Sequence, residues 1–285
     1  MAVEPTLAAD SQAEYAFLPD DPPPPLPRPH VVGRDVHGGC LLVLPALLSP
    51  AECARITAAC APLSREHTFE RLRSIVASPS LSAAVLARLH GALAAAEAGA
   101  ADGGGGEGAE ALRAALLGAA RHGSTWVAEA LHPIWRFVAY KEGGRLGPHL
   151  DDTTRCTVDS AGLHTAMAYL SEGYGGGELR LLQAVGPGGG AQALNFCPRA
   201  GDFVLLDRRV LHEALAVRAG PGGELKTFIR TELRCVRVPP LAGEADRAAE
   251  ALLAQAERAP PQEAEGLRER AFSLSPRLEG VFLNL

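Results

Sequence analysis

The segment GPHLDD, residues 147–152, places a histidine and a carboxylate two positions apart, at His149 and Asp151. Successive side chains of a β-strand point to opposite faces, so these two residues would share one face and Asp152 would point away. An imidazole and a carboxylate on one face offer two donor atoms to a metal ion. The competing interpretation is a surface turn in which Asp151 accepts hydrogen bonds from backbone amides.

A third donor is available later in the chain, where His212 follows the apolar run DFVLLD. Two histidines and one carboxylate, with the other coordination positions open, form the donor set of non-heme Fe(II) oxygenases. The open positions allow one ion to hold a co-substrate and O₂ together. Taken alone, His212 could instead be a core histidine bonded to a backbone carbonyl; its position after DFVLLD and before a basic strand favours a ligand.

The usual electron donor in such a site is 2-oxoglutarate, a dianion whose distal carboxylate needs a cation. KTFIRTELRC offers Lys226 and Arg230, which share one strand face because they are four positions apart. A lone buried cation is very unfavourable without an anionic partner. Either residue could therefore bind the co-substrate, while Arg230 could equally pair with Glu178 or Glu232.

The elements that must position these residues are short strands. Between about Trp126 and Val238 the sequence alternates apolar strand-like runs with glycine turns, a texture typical of a sandwich or barrel. The runs are IWRFVAYK, HTAMAYL, GELRLLQAV, DFVLLD, LHEALAV and KTFIRTELRCV.

Helices are expected before and after this β-rich region. A buried strand at 40–48 precedes a helix at 49–63, with Ser49 as N-cap, Pro50 at the first position and Glu52 completing a capping box. Further helices are predicted at the ranges 79–97, 109–123 and, as a hairpin packed on the domain, 242–271.

Three regions follow from this pattern: a disordered proline-rich tail (1–30), a catalytic domain (31–238) with a flexible glycine-rich insertion (98–108), and a C-terminal helical extension (239–285). The loops expected to set specificity around the barrel mouth are 64–78 and 152–163.

Several segments, in the right order, resemble the prolyl 4-hydroxylase branch of the Fe(II)/2-oxoglutarate-dependent dioxygenase superfamily. They cover roughly residues 38–238, and the most specific are WRFVAYKEGGRLGPHLD, TAMAYLSEGYGGGELRLL, CPRAGDFVLLDRRVLHEALAV and GGELKTFIRTEL. The gap of 14 positions from His212 to Lys226 is longer than is usual in that family, because of an extra glycine-rich turn. This departure leaves the choice between Lys226 and Arg230 open.

The resemblance implies a mainly β fold with flanking helices, built on a double-stranded β-helix (a cupin-like jelly roll). It implies that the catalytic iron ligands are His149, Asp151 and His212. It also implies that the co-substrate site contains Lys226 or Arg230 together with Tyr140 and Tyr169, although core packing competes for both tyrosines. The activity expected from the resemblance is hydroxylation of a prolyl residue in a protein or peptide, with Fe(II), 2-oxoglutarate and O₂, and ascorbate as an accessory reductant.

Other function classes stay open at this stage. They are a dioxygenase acting on a small molecule or nucleobase, a jelly-roll metal enzyme that needs no 2-oxoglutarate, and an inactive binding module. The formal net charge of −6, without a basic stripe, argues against avid nucleic-acid binding. The N-terminal residues resemble no secretory signal, no apolar run could span a bilayer, and the six scattered cysteines favour reduced thiols, so an intracellular protein, cytoplasmic or nuclear, is expected.

Overall fold

The architecture is that of two antiparallel sheets facing one another, with helices on the outer face of the larger sheet. The structure is a computed structural model that describes residues 23–99, 106–121, 124–152, 157, 159–185, 190–276 and 278. The expected tail 1–30 is therefore described only from residue 23, and residues 100–105 of the expected insertion lie outside the described residues, as do residues 153–156 and 158 of the second expected specificity loop. The domain boundaries stay predictions.

From β7 onward, the chain crosses between the two sheets in the way a jelly roll requires. Their bounds are β1 His30–Arg34, β2 Cys40–Leu44, β3 Arg65–Thr68, β4 Arg71–Ala77, β5 Ala119–Arg121, β6 Ser124–Leu131, β7 Ile134–Tyr140, β8 Leu146–His149, β9 Ser160–Tyr169, β10 Gly175–Gly176, β11 Leu179–Val185, β12 Ala191–Phe196, β13 Phe203–Asp207, β14 His212–Ala214, β15 Val217–Arg218 and β16 Thr227–Val238. The large sheet has the order β1-β2-β13-β9-β16-β7-β4-β3, with β6 beside β16 and β5 beside β6, and the small sheet has the order β12-β11-β14-β8.

Eight of these strands form the core of the fold. In chain order, β7, β9, β13 and β16 belong to the large sheet, whereas β8, β11, β12 and β14 belong to the small one. The chain therefore crosses repeatedly between two four-stranded layers, which is the jelly-roll arrangement. The expected double-stranded β-helix is confirmed.

Most of the helices lie where the sequence pattern predicted them. Their bounds are α1 Pro50–Cys60, α2 Pro79–Ala98, α3 Glu107–Leu117, α4 Glu244–Ala256 and α5 Pro261–Leu274. The capping box at the start of α1 is present, with the Ser49 side chain accepting from the Glu52 amide and the Glu52 carboxylate accepting from the Ser49 amide. Packed against the large sheet, α1, α2 and α3 contribute to a hydrophobic core that includes Trp135 and Phe137.

Two expectations about local structure were wrong. The helix expected at 109–123 ends at Leu117, because Gly118 has a φ of +148°, a conformation that L side chains rarely adopt, and β5 follows. The segment expected to be a loop at 64–78 is instead the β3–β4 hairpin, which adds two strands to the edge of the large sheet beside β7.

The C-terminal hairpin of α4 and α5 has small apolar clusters of its own. One contains Ala249, Leu253 and Ala271, and another contains Ala264 and Leu267. None of the helices in the described part of the chain combines the length and the apolarity that crossing a bilayer requires.

Candidate active site

The space between the two sheets holds a second hydrophobic cluster, and the predicted site lies at one end of it. This cluster combines residues of the large sheet, such as Tyr140, Tyr169 and Phe228, with residues of the small sheet, such as Leu179 and Leu181. Because both sheets contribute their inner faces, the polar residues that interrupt this apolar lining are candidates for function.

His149, Asp151 and His212 lie together at this end. One possible ligand atom from each lies within 4.8 Å of the others. His149 ends β8 and His212 begins β14, and the two residues are direct partners in the antiparallel pair. Their ring centroids are 4.2 Å apart. Asp151 lies just beyond the end of β8, so the strand is shorter than the sequence pattern indicated, yet the carboxylate that joins the two histidines is Asp151.

Both imidazoles are oriented by backbone carbonyls. The Nδ1 atom of His149 is 2.9 Å from the carbonyl oxygen of Gly147, and Nδ1 of His212 is 2.9 Å from that of Val210. A hydrogen on each Nδ1 satisfies these contacts and leaves both Nε2 atoms with lone pairs facing Asp151, at 3.7 and 3.8 Å from its carboxylate oxygens. Orientation of ligand histidines by such outer hydrogen bonds is usual at metal sites.

Asp151 is 6% exposed and is held from two sides. Thr165 donates its hydroxyl to Oδ2 at 2.7 Å, and Arg230 donates from Nη1 to Oδ1 at 2.9 Å. Burial alone would raise the pKa of Asp151, but Arg230, His212, the Thr165 hydrogen bond and His149 together lower that pKa below its ordinary value. Asp151 is therefore a carboxylate. For His212, burial is the main cause that lowers the pKa. The imidazole therefore stays neutral and can donate a lone pair.

Lys226 lies elsewhere in the same space. Its side chain is 1% exposed and its Nζ donates to the carbonyl oxygen of Gly177 at 2.6 Å. Nζ is also 5.3 Å from the ring centroid of Tyr140, 5.5 Å from that of Tyr169 and 6.0 Å from that of Phe228. Burial lowers the pKa of Lys226 to about 8, partly opposed by the charge of Glu178. A cation surrounded by aromatic rings in this way is favourable once an anion accompanies it.

The seven predicted site residues thus lie between the two sheets, but Lys226 and Arg230 make different contacts there. Arg230 pairs with Asp151, a contact that the sequence did not predict. Burial raises the pKa of both Tyr140 and Tyr169, so each phenol stays protonated and can donate a hydrogen bond.

Thr165 is a site residue that sequence reasoning missed. It lies four positions before Tyr169 on β9, so the period of a strand places both on the inner face, and this was the signal available. Its hydrogen bond to Asp151 depends on the position of β9 relative to the end of β8. The sequence pattern does not predict that position.

A cavity of about 510 Å³ opens beside the triad. His149 and Asp151 lie on its wall, together with Arg230 and Phe228 from β16 and side chains from the β3–β4 hairpin. The donor set (two imidazoles and one carboxylate, with one side open to this cavity) fits a divalent transition metal that keeps free coordination positions. The buried ammonium of Lys226 in the same internal space fits the distal carboxylate of 2-oxoglutarate.

Comparisons with known proteins give one family match and several similar structures. Residues 135–230 match the family model of the 2OG-Fe(II) oxygenase superfamily. No curated protein matches the chain in a sequence search. Similar solved structures include an oxidoreductase of the 2OG-Fe(II) oxygenase family from Burkholderia pseudomallei (18% identity, 67% of this chain and 82% of that chain, TM-score 0.40). Others are a viral collagen prolyl hydroxylase from Paramecium Bursaria Chlorella virus-1 (15%, 69% and 95%, TM-score 0.42) and a prolyl-4-hydroxylase from Pseudomonas putida (21%, 68% and 91%, TM-score 0.40).

The matched segment contains the three donor residues as well as Tyr140 and Lys226. Resemblance in sequence, the jelly-roll topology and the triad geometry agree with that match. Over residues 135–230 this chain is accordingly similar to the 2OG-Fe(II) oxygenase superfamily, whose members are oxidoreductases of the dioxygenase class.

Proposed function

We propose that this protein is an Fe(II)- and 2-oxoglutarate-dependent hydroxylase that acts on a prolyl residue of a peptide or protein. The overall reaction would convert substrate C–H, 2-oxoglutarate and O₂ into substrate C–OH, succinate and CO₂. The observation that carries the proposal is the pairing of the His149, Asp151 and His212 donor set with the buried Lys226 in one internal space. The prolyl substrate is supported by the sequence segments that resemble prolyl 4-hydroxylases.

Each residue has a definite part in this proposal. His149, Asp151 and His212 would hold the iron, and Lys226 would bind the distal carboxylate of 2-oxoglutarate with hydrogen bonds from Tyr140 or Tyr169. When bound, iron and co-substrate supply the oxidising chemistry, while the protein positions the target C–H bond. The apolar lining between the sheets excludes water from the co-substrate. Ascorbate would serve as an accessory reductant.

Succinate formation tests the proposal directly. The purified protein is incubated with Fe(II), ascorbate, 2-oxoglutarate and ¹⁸O₂, with and without proline-containing peptides. We expect a peptide to stimulate succinate release and to gain one ¹⁸O atom on a prolyl ring. Asp151→Ala should abolish both signals, whereas Arg268→Gln on the exposed side of α5 should change neither.

Two outcomes would overturn the prolyl assignment. If only a small molecule or a nucleobase stimulated succinate release, the chain would be a dioxygenase of a different substrate class. If no succinate formed under any condition and iron did not bind, the domain would be an inactive jelly-roll binding module.

A further inference from the structure

The connection between β1 and β2 (residues 35–39, the β1–β2 turn) packs against the loop that precedes His212. We propose that two residues of this turn, Asp35 and Gly39, are positioning residues that orient His212 for metal binding. The inference rests on the proposed function, because it concerns the metal site of that function. Neither residue is among the seven predicted site residues.

The β1–β2 turn joins the two sheets. Both β1 and β2 belong to the large sheet. Asp35 forms an isolated antiparallel bridge with Ala184 of the small sheet. The amide of Val36 donates to the carbonyl oxygen of Gln183 at 3.1 Å. Both partners lie on β11, which also pairs with β14 at His212, so the turn is fixed to the strand beside this histidine.

A buried aspartate holds the turn in shape. Asp35 is 3% exposed, and its Oδ1 accepts from the amide of Gly39 at 2.6 Å and from that of His37 at 3.0 Å. The amide of Asp35 also donates to the carbonyl oxygen of Gly39 at 2.8 Å. Aspartate side chains commonly fix tight turns by accepting from backbone amides two or more residues later. The side chain and the backbone of Asp35 therefore both set the position of Gly39.

Gly39 contacts the residue whose carbonyl orients His212. A Cβ atom built on Gly39 would lie 2.8 Å from Cγ2 of Val210, closer than Cβ atoms approach other atoms in real proteins. The absence of a side chain at Gly39 therefore allows this close approach. Val210 is fully buried, and its carbonyl oxygen lies 2.9 Å from Nδ1 of His212. The contact with Gly39 thus helps to fix the group that turns Nε2 of His212 toward Asp151.

A shift of Val210 would be passed on to His212 because the loop between β13 and β14 is short. This loop consists of residues 208–211. The amide of Val210 donates to the carbonyl oxygen of Asp207 at 2.9 Å, which closes the loop into a tight turn. Close-packed interiors transmit small displacements instead of absorbing them. A group that pushes on the Val210 side chain is therefore expected to move its carbonyl oxygen relative to the imidazole.

The metal affinities of matched variants test the inference. Gly39→Ala should weaken Mn(II) binding by about tenfold, because the added methyl group displaces Val210 and with it the orienting carbonyl. Adding Val210→Ala removes the methyl groups that clash, so the double variant should regain most of the lost affinity. Gly91→Ala in α2 is the control. Its Cβ would lie 3.1 Å from Leu26, so it also crowds the fold, but on the outer face of the large sheet, and Mn(II) affinity should not change.

Replacements of Asp35 separate orientation of the imidazole from stability of the fold. Asp35→Ala removes the acceptor of two amides and should weaken Mn(II) binding by about tenfold, whereas Asp35→Asn keeps an oxygen for both and should retain the affinity. In metal-free, ¹⁵N-labelled protein, NMR should find the Nδ1–H form of His212 in the unaltered chain and in Asp35→Asn. Asp35→Ala and Gly39→Ala should lose part of that form. A purely structural role would lower the free energy of unfolding and leave the Nδ1–H form unchanged.

Several results would overturn the inference. These are unchanged Mn(II) affinity in Gly39→Ala and Asp35→Ala, an equal loss in Gly91→Ala, a double variant that binds no more tightly than Gly39→Ala, or equal amounts of the Nδ1–H form in all variants. Failure of the proposed function would look different, because the unaltered protein would then bind no metal ion or would release no succinate with any substrate. The NMR comparison needs no metal and would decide the inference in that case too.

Discussion

Arg230 donates a hydrogen bond to Oδ1 of Asp151 at 2.9 Å, while Lys226, four residues earlier on the same face, donates to the carbonyl of Gly177. Two cations that the sequence could not distinguish therefore make different contacts. In the proposed site, Arg230 would hold the metal-binding carboxylate and Lys226 would bind the co-substrate. Each of these roles predicts a different defect when the residue is replaced.

Replacing the two cations should separate metal binding from co-substrate binding. Lys226→Met should weaken 2-oxoglutarate binding by about 100-fold, because it leaves one end of the dianion buried without a partner. Arg230→Gln should weaken Mn(II) binding by about tenfold, because Asp151 loses a group that orients it. Calorimetric titration of each ligand measures both effects, and a reversed pattern would contradict the assignment.

The affinity for 2-oxoglutarate should fall as pH rises above about 8. Burial lowers the pKa of Lys226 to about 8, so the free protein loses the ammonium charge above that pH. The dianion stabilises the protonated form of Lys226, so binding of 2-oxoglutarate takes up a proton. The affinity therefore falls by up to about tenfold per pH unit. In Lys226→Arg the cation stays protonated and this pH dependence should disappear. Equal pH profiles for the two proteins would argue against Lys226 as the binding cation.

Thr165 should act on the metal through Asp151. Thr165→Val removes the hydroxyl that Asp151 Oδ2 accepts while preserving the shape of the side chain. Loss of such an outer hydrogen bond is expected to lower metal affinity by about tenfold. Thr227→Val is a matched control, because the buried Oγ1 of Thr227 has no partner among the described residues. Equal Mn(II) affinities for the two variants would refute the role of Thr165.

The helices that cover the large sheet depend on a buried ion pair. Arg88 in α2 donates to both carboxylate oxygens of Glu52 in α1, at 2.9 and 2.7 Å. Arg88→Met leaves a buried carboxylate without its partner and should lower the free energy of unfolding by about 3–5 kcal/mol. Arg113→Met breaks the exposed pair with Glu97 and should cost less than about 1 kcal/mol. Urea denaturation measures the free energy of unfolding of both variants. Similar losses in the two would show that burial of the Arg88–Glu52 pair has no special effect.

Much of the site could be predicted from the sequence, because the two-residue period of strands and the order of the segments constrain where the site residues lie. His149 and Asp151 were chosen over Asp152 from side-chain alternation, and the structure brings those two residues together with His212. The separation of Lys226 from Arg230 was not accessible in this way. Both residues share one strand face, and the position of Asp151, just beyond the end of β8, is what places it next to Arg230.

Features that depend on contacts between distant segments were missed for the same physical reason. The segment 64–78 contains Arg71 and Arg73, and it was expected to be a loop at the mouth of the barrel. It becomes a hairpin because β4 pairs along its whole length with the edge of β7. Local composition does not indicate that the edge of β7 is available for pairing.

The most direct test of the central claim is an anaerobic titration of the protein with Fe(II) in the presence of saturating 2-oxoglutarate. A weak visible absorption band should grow to one equivalent of Fe(II), because in this account one ion would bind His149, Asp151 and His212 together with the co-substrate. His212→Ala should abolish the band, whereas His90→Ala, an exposed histidine of α2, should retain it. Absence of the band at saturating ligands, or an unchanged band in His212→Ala, would contradict the account.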